Sequence, residues 1–340
     1  MPRADSVCGG GRYAPSGALL TRIVVLRHTY DKLRAALLAG SFVALGAPAA
    51  PRTASAADQV TRDALWGGGG RGGGGELEEA AARAREAYAR RKLPEALSAL
   101  DDAVALAPDE GVWYERRGQV QVDLKDFEAA LADFERAKTL YPANYVSIGL
   151  LGNQALAHEG LAQWVRAVDV YSLAIDASEE AGQAPPYLFN ARGNCRVALG
   201  DFEAAFADFE RSAEIFQVAR DLRGSIFAQS NAALLSAQLG REDATRRLEA
   251  AARRAPGSVD MRAALAAQYY SQGKLPEAEA EWDWACTRIN TGQLYGPEGP
   301  TFDSCLAYRD ADWLTRIRRW PPVMVERMQA FVKLDAGAEE

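Results

Sequence analysis

The sequence predicts an all-α protein built from stacked helix pairs, and three observations carry that prediction. The chain echoes itself at one fixed interval, with Pro108 recurring as Pro142 and Ala244 as Ala278. A period of about 34 residues marks a repeat array of helical pairs. The run Asp126-Phe127-Glu128-Ala129-Ala130-Leu131-Ala132-Asp133-Phe134-Glu135-Arg136 returns further along as Asp201 to Arg211, with Phe206 in place of Leu131 as the one change. An Arg-Gly pair precedes each copy, Arg117-Gly118 and Arg192-Gly193, and Lys92-Leu93-Pro94-Glu95-Ala96 reappears as Lys274 to Ala278.

Each unit has its own anchors. Ala96, Leu100, Ala103 and Pro108 close the first, and Ala130, Phe134, Ala137 and Pro142 close the second. Ala167, Tyr171 and Ala174 mark the third, which lacks the proline. Ala205 and Phe209 mark the fourth, with Ser212 where an alanine is expected. Ala244, Leu248, Ala251 and Pro256 mark the fifth, and Ala278, Trp282 and Ala285 the sixth. Small residues on the first helix of a pair (Gly118, Ala155, Gly193, Ala232, Ala266) allow close approach, and the large residue on the second helix fills the gap between units. One pair cannot bury its apolar face alone, so stacking builds the core. The intervals Ala130 to Ala167, Ala167 to Ala205 and Ala205 to Ala244 are each longer than the basic period, and they lengthen in that order. Longer loops or longer helices are expected there.

These anchors resemble the tetratricopeptide repeat over about residues 77–290. The resemblance implies a right-handed superhelical solenoid of helix–turn–helix units near 77–110, 111–144, 148–181, 186–219, 225–258 and 259–290. It implies that first helices line a concave face, that the ligand is a protein or extended peptide, and that no cofactor or metal is needed. The residues expected on that face are Arg85, Tyr88, Glu115, Gln119, Asn153, Tyr187, Asn190, Asn194, Gln229 and Tyr270. Side-chain amides both donate and accept, so these Asn and Gln either hold a peptide backbone or bond neighbouring helices. The family's clamp for the terminal carboxylates of heat-shock chaperones needs lysines, and the corresponding stretch offers Ala81, Arg85, Gln119 and Asn153 without them. That ligand is not expected.

Bulk composition narrows the function further. The chain has 340 residues, 48% hydrophobic and 25% charged, with a formal net charge of −7. Residues 1–57 hold seven of the 39 Lys and Arg and two of the 46 acids, so the remainder carries 32 basic and 44 acidic residues, net −12. Direct nucleic-acid binding needs a basic face and is not expected, which limits an RNA role to that of an adaptor. Four cysteines (Cys8, Cys195, Cys286, Cys305) show no metal-site spacing, and a single histidine, His158, lies in the repeats. No nucleophile motif, acid–base pair or phosphate loop accompanies it, so a non-enzymatic scaffold is expected.

The chain up to Ala57 reads as an address. Residues 1–31 are rich in Arg, Ala, Gly and Ser, as transit peptides are. Lys32-Leu33-Arg34, the apolar run Ala35 to Leu45 and the small residues up to Ala57 then follow the order of a signal peptide. The two in series resemble the bipartite presequence of thylakoid-lumen proteins in plants and green algae, which implies a chloroplast protein, in the lumen, helping to assemble or maintain thylakoid complexes. A stromal or mitochondrial transit peptide is the alternative. Residues 58–76, with Gly67–Gly70 and Gly72–Gly75, read as a flexible linker.

After Asn290 the pattern stops, and residues 291–340 read as a loop plus a capping element. Asp310 to Trp320 is expected as one amphipathic helix with Trp313 and Ile317 inward and Arg316, Arg318 and Arg319 outward. Arg316, Arg318, Arg319 and Trp320 are thereby candidates for docking an acidic partner or a thylakoid membrane surface. Cys286 and Cys305 bracket the Gly/Pro loop; they either pair across it or stay buried thiols, and Cys195 is expected in the core.

Overall fold

The computed structural model describes residues 75–143, 145–183, 185–290 and 305–337. The leader and most of the linker lie outside the described residues, as does the Gly/Pro loop at 291–304. Within the described repeats, twelve helices form six consecutive pairs: α1 (Gly75–Ala89) with α2 (Leu93–Leu106), α3 (Gly111–Leu124) with α4 (Phe127–Leu140), and α5 (Ile148–Gly160) with α6 (Trp164–Glu180). The series continues with α7 (Pro186–Leu199) and α8 (Phe202–Val218), α9 (Leu222–Gln238) and α10 (Ala244–Arg254), and α11 (Val259–Ser271) and α12 (Leu275–Asn290). A 3-10 turn (Cys305–Arg309), α13 (Ala311–Arg316) and α14 (Pro322–Gly337) follow. Each helix packs on the next through the array. The first helix begins at Gly75, two residues inside the expected linker, so the boundary moves from 76 to 74.

Local chemistry sets the helix ends. Asp126, Ser147, Asp201, Asp221 and Ser258 each accept a hydrogen bond from the backbone N–H three residues on, satisfying a donor that the first turn leaves unpaired. The interval from Ala130 to Ala167 is stretched by the longer connection at 141–147, and the next two chiefly by helix length: α6, α8 and α9 each run 17 residues, against 14 for α3 and α4.

The packing explains the duplicated block. A Cβ added to Gly118 would lie 2.6 Å from the Phe134 ring, and one added to Gly193 would lie 2.8 Å from the Phe209 ring. The aromatic ring fills the notch that glycine leaves. The preceding arginines are duplicated for a second reason. Arg117 forks onto Asp133 at 2.7 and 2.8 Å, and Arg192 forks onto Asp208 at 3.0 and 2.7 Å. Each bidentate pair, largely withdrawn from solvent, pins the first helix of a unit to its second. Ser212, the departure from alanine, is fully buried, and its hydroxyl donates to the Pro186 carbonyl at 2.7 Å.

The C-terminal element departs from expectation. Asp310 to Trp320 is not one helix. Asp310 caps α13, which ends at Arg316. Arg319 then takes a left-handed φ of 56°, and Pro321-Pro322 holds the preceding residues out of helical conformation. The break reverses the predicted faces: Ile317 is half exposed, while Trp320 is buried. Nor does α14 simply cover the end of the stack. It lies against α11 and α9, both first helices, with Met324, Val325, Met328, Phe331 and Val332 buried in one core with Ala233, Ala237, Ala263, Ala264 and Ala267. Tyr308 and Phe331 meet Trp282 of α12 edge-on, at 5.6 and 6.0 Å between ring centres. Cys286 and Cys305 are joined by a disulfide with their Cα atoms 5.5 Å apart, which ties the 3-10 turn to α12. Cys195 is a buried free thiol.

Candidate functional site

The first helices α1, α3, α5, α7, α9 and α11 share one face, and polar side chains link neighbouring units across it. The Tyr88 hydroxyl on α1 donates to Asp123 on α3 at 2.7 Å, and Gln119 on α3 donates back to Tyr88 at 3.3 Å. Glu115 on α3 accepts from the Tyr141 hydroxyl at 2.5 Å and from Ser147 at 2.8 Å. Asn231 on α9 donates to Asn190 on α7 at 3.4 Å. Burial, then the Asp123 charge, pushes the Tyr88 hydroxyl well above its usual pKa, and burial raises the Asp123 carboxyl as well. Arg116 stacks over Trp113 at 4.8 Å, and burial lowers its guanidinium to about 10.

The expected site residues divide into three groups. Arg85, Tyr88, Glu115, Gln119 and Asn194 are half-buried on this face. Asn153, Tyr187 and Asn190 are buried, so they do not present a side chain broadly to solvent. Asn190 is engaged by Asn231 of the next unit. Gln229 and Tyr270 fall on the part of the face that other groups engage. Arg254 donates to Gln229, and the Tyr270 ring packs against Phe331 of α14 at 5.6 Å.

The expected docking surface at the C-terminus is overturned for two of its four residues, Arg318 and Trp320. Arg318 points inward, with only 6% of its side chain exposed, bridging to Asp260 at 3.1 Å and stacking over Trp313 at 4.6 Å. Trp320 is buried against Tyr308, 6.0 Å between ring centres. Arg319 reaches back to Glu159 at the end of α5, 2.9 Å away. Arg316 stays well exposed, paired to Asp312 one turn earlier, and Arg319 keeps 46% of its side chain exposed. The reason is the helix break after Arg316, which turns the following residues onto the first-helix face instead of continuing the predicted stripe.

Sequence reasoning missed Glu159, Asp260 and Asp123. Their signal was available only as position: each sits on a first helix, but nothing in the sequence says which cation or hydroxyl meets it. Among the described residues no cluster of metal-ligating side chains occurs, and no helix is long and apolar enough to cross a membrane.

Residues 114–144 match the family model of the tetratricopeptide repeat. Among solved structures, the chain is similar to a tetratricopeptide repeat protein from Parabacteroides merdae, with 18% identity, coverage of 78% of this chain and 93% of that one, and a TM-score of 0.54. It is also similar to the apo form of RapI, with 12% identity, 75% and 96% coverage, and a TM-score of 0.55. At such identities the likeness is one of fold. A comparison with curated proteins gives no match. One stretch of the chain thus matches the tetratricopeptide repeat in sequence, and its six helix pairs stack in the fold of these solved structures.

Proposed function

We propose that this protein is a non-enzymatic scaffold that holds an extended protein segment along the first-helix face of its first four units. The observation that carries this reading is α14. A polypeptide segment already lies on that face over units five and six, seated on alanines, so the face accepts a peptide of ordinary dimensions. Over units one to four the face instead carries hydroxyl, amide and carboxylate groups, which suit a main chain with its own donors and acceptors. Photo-crosslinking residues placed at Gln119 and Asn194 should label a native partner. The same residue at Glu128, exposed on a second helix, should not. Equal labelling from all three positions would sink the reading.

We place the protein in the chloroplast, on the lumenal side of the thylakoid membrane, in the assembly or maintenance of thylakoid complexes. The composition of residues 1–57 supports this address. N-terminal sequencing of the mature protein tests it: a start near Ala57 agrees, and a start before residue 40 refutes it.

A further inference from the structure

The arginines at 318 and 319 are neighbours in sequence but not in physical role. Arg318 is withdrawn from solvent, bridged to Asp260 and stacked on Trp313; it anchors the C-terminal segment to unit six. Arg319 keeps 46% of its side chain exposed, and its backbone sits in the left-handed region that non-glycine residues disfavour. Its partner is the opposite case. Glu159 is 8% exposed on α5, with one carboxylate oxygen accepting from the Tyr171 hydroxyl at 3.2 Å and the other facing Arg319 at 2.9 Å. A carboxylate so far from water requires a counter-charge. The cation that supplies it arrives from the far end of the chain, on a strained arm with one side open to solvent.

We infer that Glu159 is a cation seat in the partner groove, that Arg319 occupies it in cis, and that the partner is a basic extended segment which sets its own arginine there. The inference rests on the scaffold reading above and names the chemistry of the segment. The charge balance agrees: the chain beyond residue 57 carries net −12, which draws a basic partner and disfavours an acidic one. The tethered Arg319 sets a threshold, because a rival must outcompete a side chain held at an effective concentration of about a millimolar.

The test uses the full chain and a fluorescent peptide of about a dozen residues, uncharged except for one central arginine. An otherwise identical peptide carries citrulline, which keeps the shape and loses the charge. Fluorescence anisotropy compares wild type, Arg319→Ala, Arg319→Gln and each of these combined with Glu159→Gln. Opening the seat should tighten the arginine peptide by about tenfold or more. It should leave the citrulline peptide unchanged, and the Glu159→Gln combination should erase the gain. Circular dichroism checks folding, and Arg319→Gln replaces Arg319→Ala if the alanine variant melts. The inference is overturned if neither variant gains affinity, or if the gain survives Glu159→Gln. Crosslinking from Gln119 and Asn194 that persists without any such gain would leave the scaffold standing and remove the cation seat. Loss of both would remove the scaffold reading itself.

Discussion

Replacing Gly118 with alanine sets two effects against each other, and the structure decides between them. In a helix interior, alanine is favoured over glycine by about 1 kcal/mol. The added Cβ, however, would stand 2.6, 2.9 and 3.0 Å from three atoms of the Phe134 ring. That ring is fully buried between α3 and its neighbours, so it has no open space to swing into. Overpacking of a filled core costs about 1–3 kcal/mol, and three ring atoms at clash distance place this site in the upper part of that range. The net expectation is a loss of about 1–2 kcal/mol once the helix-propensity gain is subtracted. Urea unfolding followed by circular dichroism should show a lower midpoint with an unchanged slope. Unit five carries the smaller pair Ala232 and Leu248 in its sequence, so Gly118→Ala combined with Phe134→Leu should cost less than the two singles added together. A Gly118→Ala variant that unfolds at higher urea than wild type would refute the steric account, because helix propensity would then have won.

Three further outcomes follow from named contacts. Asp208 is almost fully buried and accepts from both Arg192 and Arg196, whereas Asp133 accepts from Arg117. Asp208→Ala should therefore lose about 3–5 kcal/mol in urea titration, and more than Asp133→Ala; the reverse order would contradict the pairing. Arg318→Ala should cost about 3 kcal/mol by taking the counter-charge from Asp260, while Arg316→Ala, at a side chain 74% exposed, should stay within about 0.5 kcal/mol. Thermal melts distinguish the two, and equal effects would mean that the helix break is misplaced. Burial, then the Glu159 charge, pushes the Cys195 thiol well above its usual pKa. A raised folded pKa means that the fold keeps a proton which the unfolded chain releases. This contribution is therefore complete below about pH 8.5 and is lost as pH rises beyond it. The urea midpoint should fall more steeply between about pH 8 and 10 in wild type than in Cys195→Ala, and parallel curves would remove the thiol from the account.

Six helix pairs were legible because the repeat is enforced by volume. The Phe134 and Phe209 rings fill the notches left by Gly118 and Gly193, and small residues recur at that position at fixed spacing in the chain. The longer middle helices were legible as excess spacing, although sequence alone left loops and helices equivalent. The face residues were less legible, because burial depends on how closely neighbours approach. Asn153 and Gln119 look interchangeable as amides, yet Asn153 is buried on α5 while Gln119 stays half open on α3. Arg318 was misread for a different reason. A helical periodicity assumes that the helix continues, whereas α13 ends at Arg316 and Arg319 takes a left-handed φ.

The alanines of the last units show why the face changes character along the array. The position that follows the small anchor residue of the first helix is Gln119 in unit two and Asn194 in unit four, and it becomes Ala233 on α9 and Ala267 on α11. Alanine's side chain offers no hydrogen bond to an extended main chain, but it lets a second helix approach closely, and α14 uses that approach to bury two methionines and a phenylalanine. At this position the face is polar in units two and four and alanine where α14 packs. Arg319 reaches Glu159 on α5 of unit three, and Val323, whose backbone N–H donates to Gln238 of α9 at 2.8 Å, fixes the start of α14. On the proposed scaffold reading, a partner advancing from unit one would meet the chain's own segment at unit three. The first contact it must replace there is an ion pair, because the apolar seat of α14 lies beyond it.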